Sequence, residues 1–440
     1  MSRANAKPKP EFDVVIDGFS HDGRGVGRIQ GKAIFVTGAL LGEHVRAQLV
    51  AKSRHYDEAK VIEVLVPSID RVQPKCPHFE LCSGCVLQHL SAEKQIEVKQ
   101  TTLLDNLQRI GHVQPQNVLP VLTADAWGYR RKGRFSVRYV EKKGRVLIGF
   151  REINPRFVAD LKQCETIIPE LSQLITPLSD LINAMQAKKE ILQVEFIAGN
   201  GPIALVFRNF ITLSESDLAL LADFESNHAV QIYLQPGENH TVHPLHEKPQ
   251  PLSFDLGHHE INLQFQPLDF IQVNAKINEA MIDLALDLLE PKNDDVILDL
   301  FCGLGNFTLP LAKLVGVVVG VEGDQRLVDR AKENAARNNI KNADFFAADL
   351  NQDISSQHWK MQRFNKILLD PPRNGALEVL KQLNLKGVEK IVYVSCHPAS
   401  LARDAGYLVN DLGYRLVKAG AMDMFPQTAH VESIAMFEKI

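Results

Sequence analysis

Cysteine is scarce in this chain, at 6 of 440 residues. That is too few for the disulfide framework that props up small secreted domains. No run of sequence approaches the roughly 18 consecutive apolar residues needed to span a bilayer. The opening stretch, Met1 to Pro10, is polar and basic and lacks the apolar core of a secretory leader. There is no internal repeat and no low-complexity tract. These absences exclude the membrane, secreted, collagenous and disordered classes. What remains is ordinary: 45% hydrophobic and 23% charged residues, enough apolar material for several cores. At about 100–200 residues per domain the length fits two to four domains. The expectation is a cytoplasmic enzyme with reduced cysteines.

A net charge of −4 argues by itself against a nucleic-acid partner. The distribution argues for one. Between Arg130 and Arg156 there are ten Lys and Arg against two acids, and a dense basic segment gives an acidic protein one face for a polyanion. Arg130, Arg131, Lys132, Arg134 and Arg138 are the candidate phosphate contacts.

Residues 10–68 read as a small all-β module, OB-like, with alternating strands near 13–16, 32–36, 43–50 and 59–64 and a glycine-dense turn from Gly23 to Arg28. A central α+β domain is expected over 75–270. It carries a helix from Ile96 to Ile110, a hairpin around 141–144, a helix from Glu170 to Met185 and a second hairpin at Gly199-Asn200-Gly201. The Pro- and His-rich stretch 236–251 reads as an exposed loop. From 271 to 440, buried β-branched runs alternate with helices, the pattern of a parallel, doubly wound α/β sheet.

Four motifs carry chemistry. In Asp299-Leu300-Phe301-Cys302-Gly303-Leu304-Gly305-Asn306-Phe307-Thr308 a strand ends in an acid and a glycine turn opens a helix. Dinucleotide folds place a third glycine where Thr308 stands. Its absence, with Glu322 placed to accept from two ribose hydroxyls, favours a single nucleoside, S-adenosylmethionine. Asp370-Pro371-Pro372-Arg373 projects a carboxylate and a rigid bend from the same sheet edge. Cys396 follows the fifth strand directly. Its plainer reading is a buried inert thiol, but its place at the sheet edge among polar residues fits a thiolate nucleophile. Glu432 lies just before the last strand and returns to that edge.

Together these residues resemble the class I, S-adenosylmethionine-dependent RNA uracil-C5 methyltransferases, over nearly the whole chain. Phe265 to Asn274 looks like the family's segment before the fold, Asp299 to Phe307 its glycine motif, Asp370-Pro371 its DP motif, and Ser395-Cys396-His397-Pro398 its nucleophile motif, with His397 where Asn is usual. The resemblance implies a Rossmann-like methyltransferase domain preceded by a TRAM barrel. It assigns cofactor contacts to Gln272, Phe301, Asn306, Glu322, Asp349 and Asp370, makes Cys396 the nucleophile, and makes Glu432 the base that removes the C5 proton. It implies a [4Fe–4S] cluster on Cys76, Cys82, Cys85 and Cys164. By spacing alone zinc remains an alternative, although a three-plus-one arrangement is more typical of iron–sulfur sites.

The barrel and the cysteines favour 23S rRNA as substrate, free or folded before ribosome assembly is complete, over the T-loop uridine of tRNA. A non-catalytic iron–sulfur RNA-binding protein is the reading from another class. The complete set of Glu322, Asp370, Cys396 and Glu432 argues against it. No membrane and no obligate protein partner is expected, and the chain is read as a monomer.

Overall fold

The computed structural model of the protein describes residues 9–440. It divides into two compact units. One runs to Lys99 and includes Phe425–His430; the other holds Gln100–Met424 and Val431–Ile440. This cut falls well beyond the expected barrel boundary at residue 68.

In the first unit the strands Glu11–Phe19, Gly25–Ile29, Lys32–Thr37, His44–Lys52 and Tyr56–Val66 close into a barrel. Its interior is filled by Val14, Ile16, Ile34, Val36, Val45 and Ala47, every second residue of their strands. The segment Gly23 to Arg28, expected to be a turn, is largely a strand. Gly25 and Gly27 are there for close approach. A Cβ on Gly27 would lie 2.6 Å from the Val15 carbonyl oxygen and 2.7 Å from Val14.

The second unit contains two main sheets. Among the described residues, one is six-stranded and mostly antiparallel, with Lys132–Val140, Ile191–Ile197 and Ile203–Asn209 at its centre. The expected helix from Glu170 to Met185 appears as two pieces, Pro169–Gln173 and Ile175–Ala184. Pro177 explains the break. Without an N–H, and with a ring that would strike the carbonyl four residues back, it is tolerated only in a helix's first turn. Among the strands that escaped the sequence reading are Leu252–Leu256 and Ile261–Phe265, which pair as a hairpin inside the expected central domain.

The other sheet has eight strands. Val296–Leu300, Val317–Glu322, Ala343–Ala347, Lys366–Leu369 and Lys390–Ser395 are parallel. Glu432–Lys439 then inserts antiparallel between Lys390–Ser395 and Tyr414–Met422. The sheet is therefore mixed at one side and not parallel throughout. Its edge is completed by Asn117–Val118, and Leu103, Leu107 and Val113 join its core beside Leu298, Tyr393 and Leu401. These residues were expected in the central domain. Among the described residues no helix is long and apolar enough to cross a membrane.

Three of the helices around this sheet start where a side chain satisfies one of the first free N–H groups. Asn274 accepts from the Ile277 amide ahead of Ala275–Leu289, and Asp324 accepts from Arg326 ahead of Gln325–Arg337. His397 does the same for Pro398–Gly406, with Pro398 at the first helical position.

A methyl group at Gly27 must push the barrel backbone apart. Gly27→Ala is expected to destabilise the barrel by about 1–3 kcal/mol, the usual cost of overpacking. Denaturant unfolding monitored in the first unit, against the wild type, checks this.

Candidate active site

The carboxyl ends of the parallel strands form one edge, and the sequence motifs meet there. Leu300 pairs with Leu369, and Leu369 with Tyr393, so Phe301 and Asp370 leave adjacent strands side by side. Ser395 is opposite Ser433 on the antiparallel neighbour. Cys396 and Glu432, one step further toward the edge, therefore face the same end. The Ser433 hydroxyl donates to the Ser395 carbonyl at 3.1 Å and locks that register.

The glycine loop is held open by unusual backbone. Phe301 has φ +65°, a costly conformation for a bulky residue that persists only when its surroundings fix it. Its amide and that of Cys302 both donate to the Val321 carbonyl. Gly303, at φ +55°, faces open space where a Cβ would be, so a ligand can approach the backbone there. Glu322 organises the loop from the next strand. Its carboxylate accepts from Gly303 at 3.1 Å, Gly323 at 2.7 Å and Asp324 at 3.1 Å.

Asn306 is engaged by a partner the sequence reading did not single out. It exchanges two hydrogen bonds with buried Asn278, at 2.9 and 3.0 Å. Gln272 is buried, and its carbonyl accepts from Arg131 Nε. Asp349 is exposed and accepts from the Asn351 amide at 3.0 Å.

Electrostatically the edge is crowded with acid. Asp299 is fully buried and accepts from the Thr308 hydroxyl at 2.5 Å. Burial pushes its carboxyl up to about 7, with Asp370 and Glu322 adding to the shift and Thr308 opposing it. Burial likewise pushes Asp370 up to about 7. Glu432, 3% exposed, is raised well above the usual carboxyl range by burial first and Asp370 second. The Cys396 thiol goes up to about 11 through burial, then Glu432 and Asp370. Arg373 opposes this. It is a cation acting on the thiol, and the sequence reading had named it only as the end of the Asp370-Pro371-Pro372-Arg373 bend. Cys302, close in sequence, is fully buried and raised further, the behaviour of an inert thiol.

The expected cysteine ligands are reported unit by unit. In the first unit Cys76, Cys82 and Cys85 are half-buried, with Cys82 Sγ accepting from the Gly84 amide at 3.4 Å. In the second, Cys164 is half-buried and its Sγ lies 3.3 Å from the Thr166 hydroxyl. Among the described residues none of the cysteines is bridged, and no group of three or more His, Cys, Asp or Glu is arranged as a metal site. The geometry therefore does not itself carry the cluster.

Part of the basic segment is engaged within the protein. Arg131 is buried under the Phe254 ring at 4.5 Å. Lys132 donates to the Asp269 carbonyl, Arg138 to the Arg156 carbonyl, and Arg134 pairs with Glu195. Arg131 is buried and serves the fold, whereas Lys132 is half-buried and Arg134 and Arg138 are exposed.

The profile of the family described as tRNA (Uracil-5-)-methyltransferase matches residues 92–440, and that of the TRAM domain matches 9–62. The chain is 60% identical over 438 residues, 99% of each protein, to the 23S rRNA (uracil(1939)-C(5))-methyltransferase RlmD of Xanthomonas euvesicatoria pv. vesicatoria. It is 59% identical over the full length of both chains to the enzyme of the same name from Stenotrophomonas maltophilia. Among solved structures, the Pyrococcus abyssi tRNA (uracil-54, C5)-methyltransferase in complex with S-adenosyl-L-homocysteine superposes with a TM-score of 0.74. It covers 97% of this chain and 100% of its own at 24% identity, a likeness of fold.

Because Glu322 holds three loop amides, Glu322→Ala should weaken binding of S-adenosylhomocysteine by about ten- to a hundredfold, the scale of one or two hydrogen bonds to a charged group. Titration calorimetry checks this.

Proposed function

The chain belongs to the RNA uracil-5-methyltransferase family, and from that membership we propose how its sheet edge performs the reaction. The enzyme transfers a methyl group from S-adenosylmethionine to C5 of a uridine in 23S rRNA, the position numbered 1939 in its relatives' names. One observation carries the reading: the strand register aims Cys396 and Glu432 at the edge that also presents Asp370 and the glycine loop.

C5 of uracil is a poor nucleophile until C6 is attacked. The Cys396 thiol gives up its proton to water, and the thiolate adds to C6 of a uridine turned out of its stack. The C5–C6 double bond opens into an enolate. S-adenosylmethionine supplies a methyl group on a cationic sulfur. The loop around Gly303, the Glu322 carboxylate, Phe301, Asn306, Asp349, Asp370 and Gln272 are assigned to hold it. C5 takes the methyl, S-adenosylhomocysteine departs, and Glu432 accepts the C5 proton. The electron pair of that C–H bond restores the double bond and expels Cys396. Burial suits Glu432 to this step, since a carboxylate out of water binds a proton more tightly.

The TRAM barrel supports rRNA contact, and the proposed division is barrel 10–68, central domain 75–270 and methyltransferase domain 271–440. The protein is read as a cytoplasmic monomer. The spacing of Cys76, Cys82, Cys85 and Cys164 supports a [4Fe–4S] cluster of structural character.

Glu432→Gln keeps size and hydrogen bonding but cannot take the proton. Addition and methyl transfer precede that step, so a methylated enzyme–RNA adduct stable to denaturation should accumulate, with turnover down about 10²–10⁴-fold. Release of free methylated RNA at the wild-type rate would remove Glu432 from the mechanism.

Both thiol and carboxyl are raised, and both act deprotonated. Single-turnover release of methylated RNA should therefore rise with pH through the neutral range, by up to about tenfold per unit for each ionisation still incomplete. A rate that falls from pH 6 to 8 would contradict this.

Purified without air, the protein should carry about four irons per chain. Stoichiometric zinc without iron would overturn the cluster.

A further inference from the structure

Arg373 carries the charge that favours ionisation of the Cys396 thiol, and one helix face holds the loop that carries it. His397, Ser400, Arg403 and Asp404 recur at the spacing that puts side chains on one side of a helix. The Ser400 hydroxyl donates to the Arg373 carbonyl at 2.6 Å and lies 2.7 Å from His397 Nδ1. Arg403 donates to the Asn374 carbonyl at 2.8 Å. Asp404, fully buried, accepts from the Ala376 amide and from the Tyr393 hydroxyl, each at 2.7 Å. Gly375 lies between these anchors at φ +81°, where a Cβ would come within 2.6 Å of Asp404 Oδ2 and 2.7 Å of Arg403. The backbone of 373, 374 and 376 is thus gripped at three points.

Ser400 has one hydroxyl proton and two close partners. When His397 Nδ1 carries a proton it donates to Ser400 Oγ, and Ser400 passes its own to the Arg373 carbonyl. When Nδ1 is bare it competes for that proton and also accepts the Ser400 amide at 3.3 Å. His397 thereby acts on the grip at Arg373.

We propose that this helix face is a latch on the Arg373 loop, with His397 and Ser400 as positioning residues for attack by Cys396. The inference rests on Cys396 being the nucleophile. The groups acting on that thiol are Glu432 and Asp370, which oppose its ionisation, and Arg373, which favours it. Loosening the loop removes the favourable charge and leaves the two acids in place.

The test is the pH dependence of Cys396 alkylation by iodoacetamide, read on its own peptide by mass spectrometry, beside methylation kinetics. In Ser400→Ala and His397→Ala the alkylation profile should move up by about half a pH unit or more. kcat should fall about tenfold, with S-adenosylhomocysteine affinity within about twofold of wild type. His397→Asn, whose amide occupies the place of Nδ1 and still caps the helix, should restore both profile and kcat. An unshifted profile in a folded Ser400→Ala protein would overturn the latch. So would His397→Asn behaving as His397→Ala does, a comparison that stands even if Ser400→Ala fails to fold. Substantial turnover in Cys396→Ala would instead overturn the nucleophile, whatever the alkylation shows.

Discussion

The structure depends on an electrostatic constraint at the end of one sheet: Asp299, Asp370, Glu432 and the Cys396 thiol share a water-poor edge with a single cation, Arg373, acting on the thiol. Four such groups cannot all be ionised in low dielectric. The resting site therefore keeps protons that the reaction later removes. A cationic sulfonium and a phosphate-bearing base arrive at an edge whose charge is already adjustable. The raised proton affinity of Glu432 and the raised thiol of Cys396 are two consequences of the same burial. The first helps the final proton transfer, and the second keeps Cys396 protonated at rest and makes its thiolate a strong nucleophile once formed.

Strand order supplies this constraint. Five parallel strands bring Phe301, Glu322, Asp349 and Asp370 to one edge by the ordinary logic of a doubly wound sheet. The base cannot arrive that way. Glu432 reaches the edge because its strand runs antiparallel beside Lys390–Ser395 and starts where that strand ends. A one-residue slip would turn its side chain to the opposite face, and the Ser433 to Ser395 bond guards against it.

Most of the site was legible because its residues sit at strand ends, and strand ends are marked by β-branched runs followed by glycine or proline. Asp299, Glu322, Asp370 and Cys396 all follow such runs. What was illegible depends on partners distant in sequence. Asn278 holding Asn306, and the helix face holding Arg373, are visible only when packing brings them together. The packing of the basic segment was illegible for the same reason. Charge density in sequence does not reveal that Arg131 lies under Phe254 or that Arg134 is paired with Glu195. Glycines 25 and 27 read as a turn by composition, whereas the barrel uses them because Ile16 and Ala39 crowd the first and Val14 and Val15 the second.

The central claim is that Cys396 bonds to the uracil ring. RNA carrying 5-fluorouridine at the target tests it most directly. After addition and methyl transfer, C5 holds fluorine where the removable proton should be, and Glu432 has nothing to accept. The account predicts a one-to-one enzyme–RNA adduct that survives denaturation, carries the transferred methyl group, maps to the Cys396 peptide and is absent in Cys396→Ala. Free 5-fluoro RNA with no adduct, under conditions where the uridine RNA is fully methylated, would contradict it.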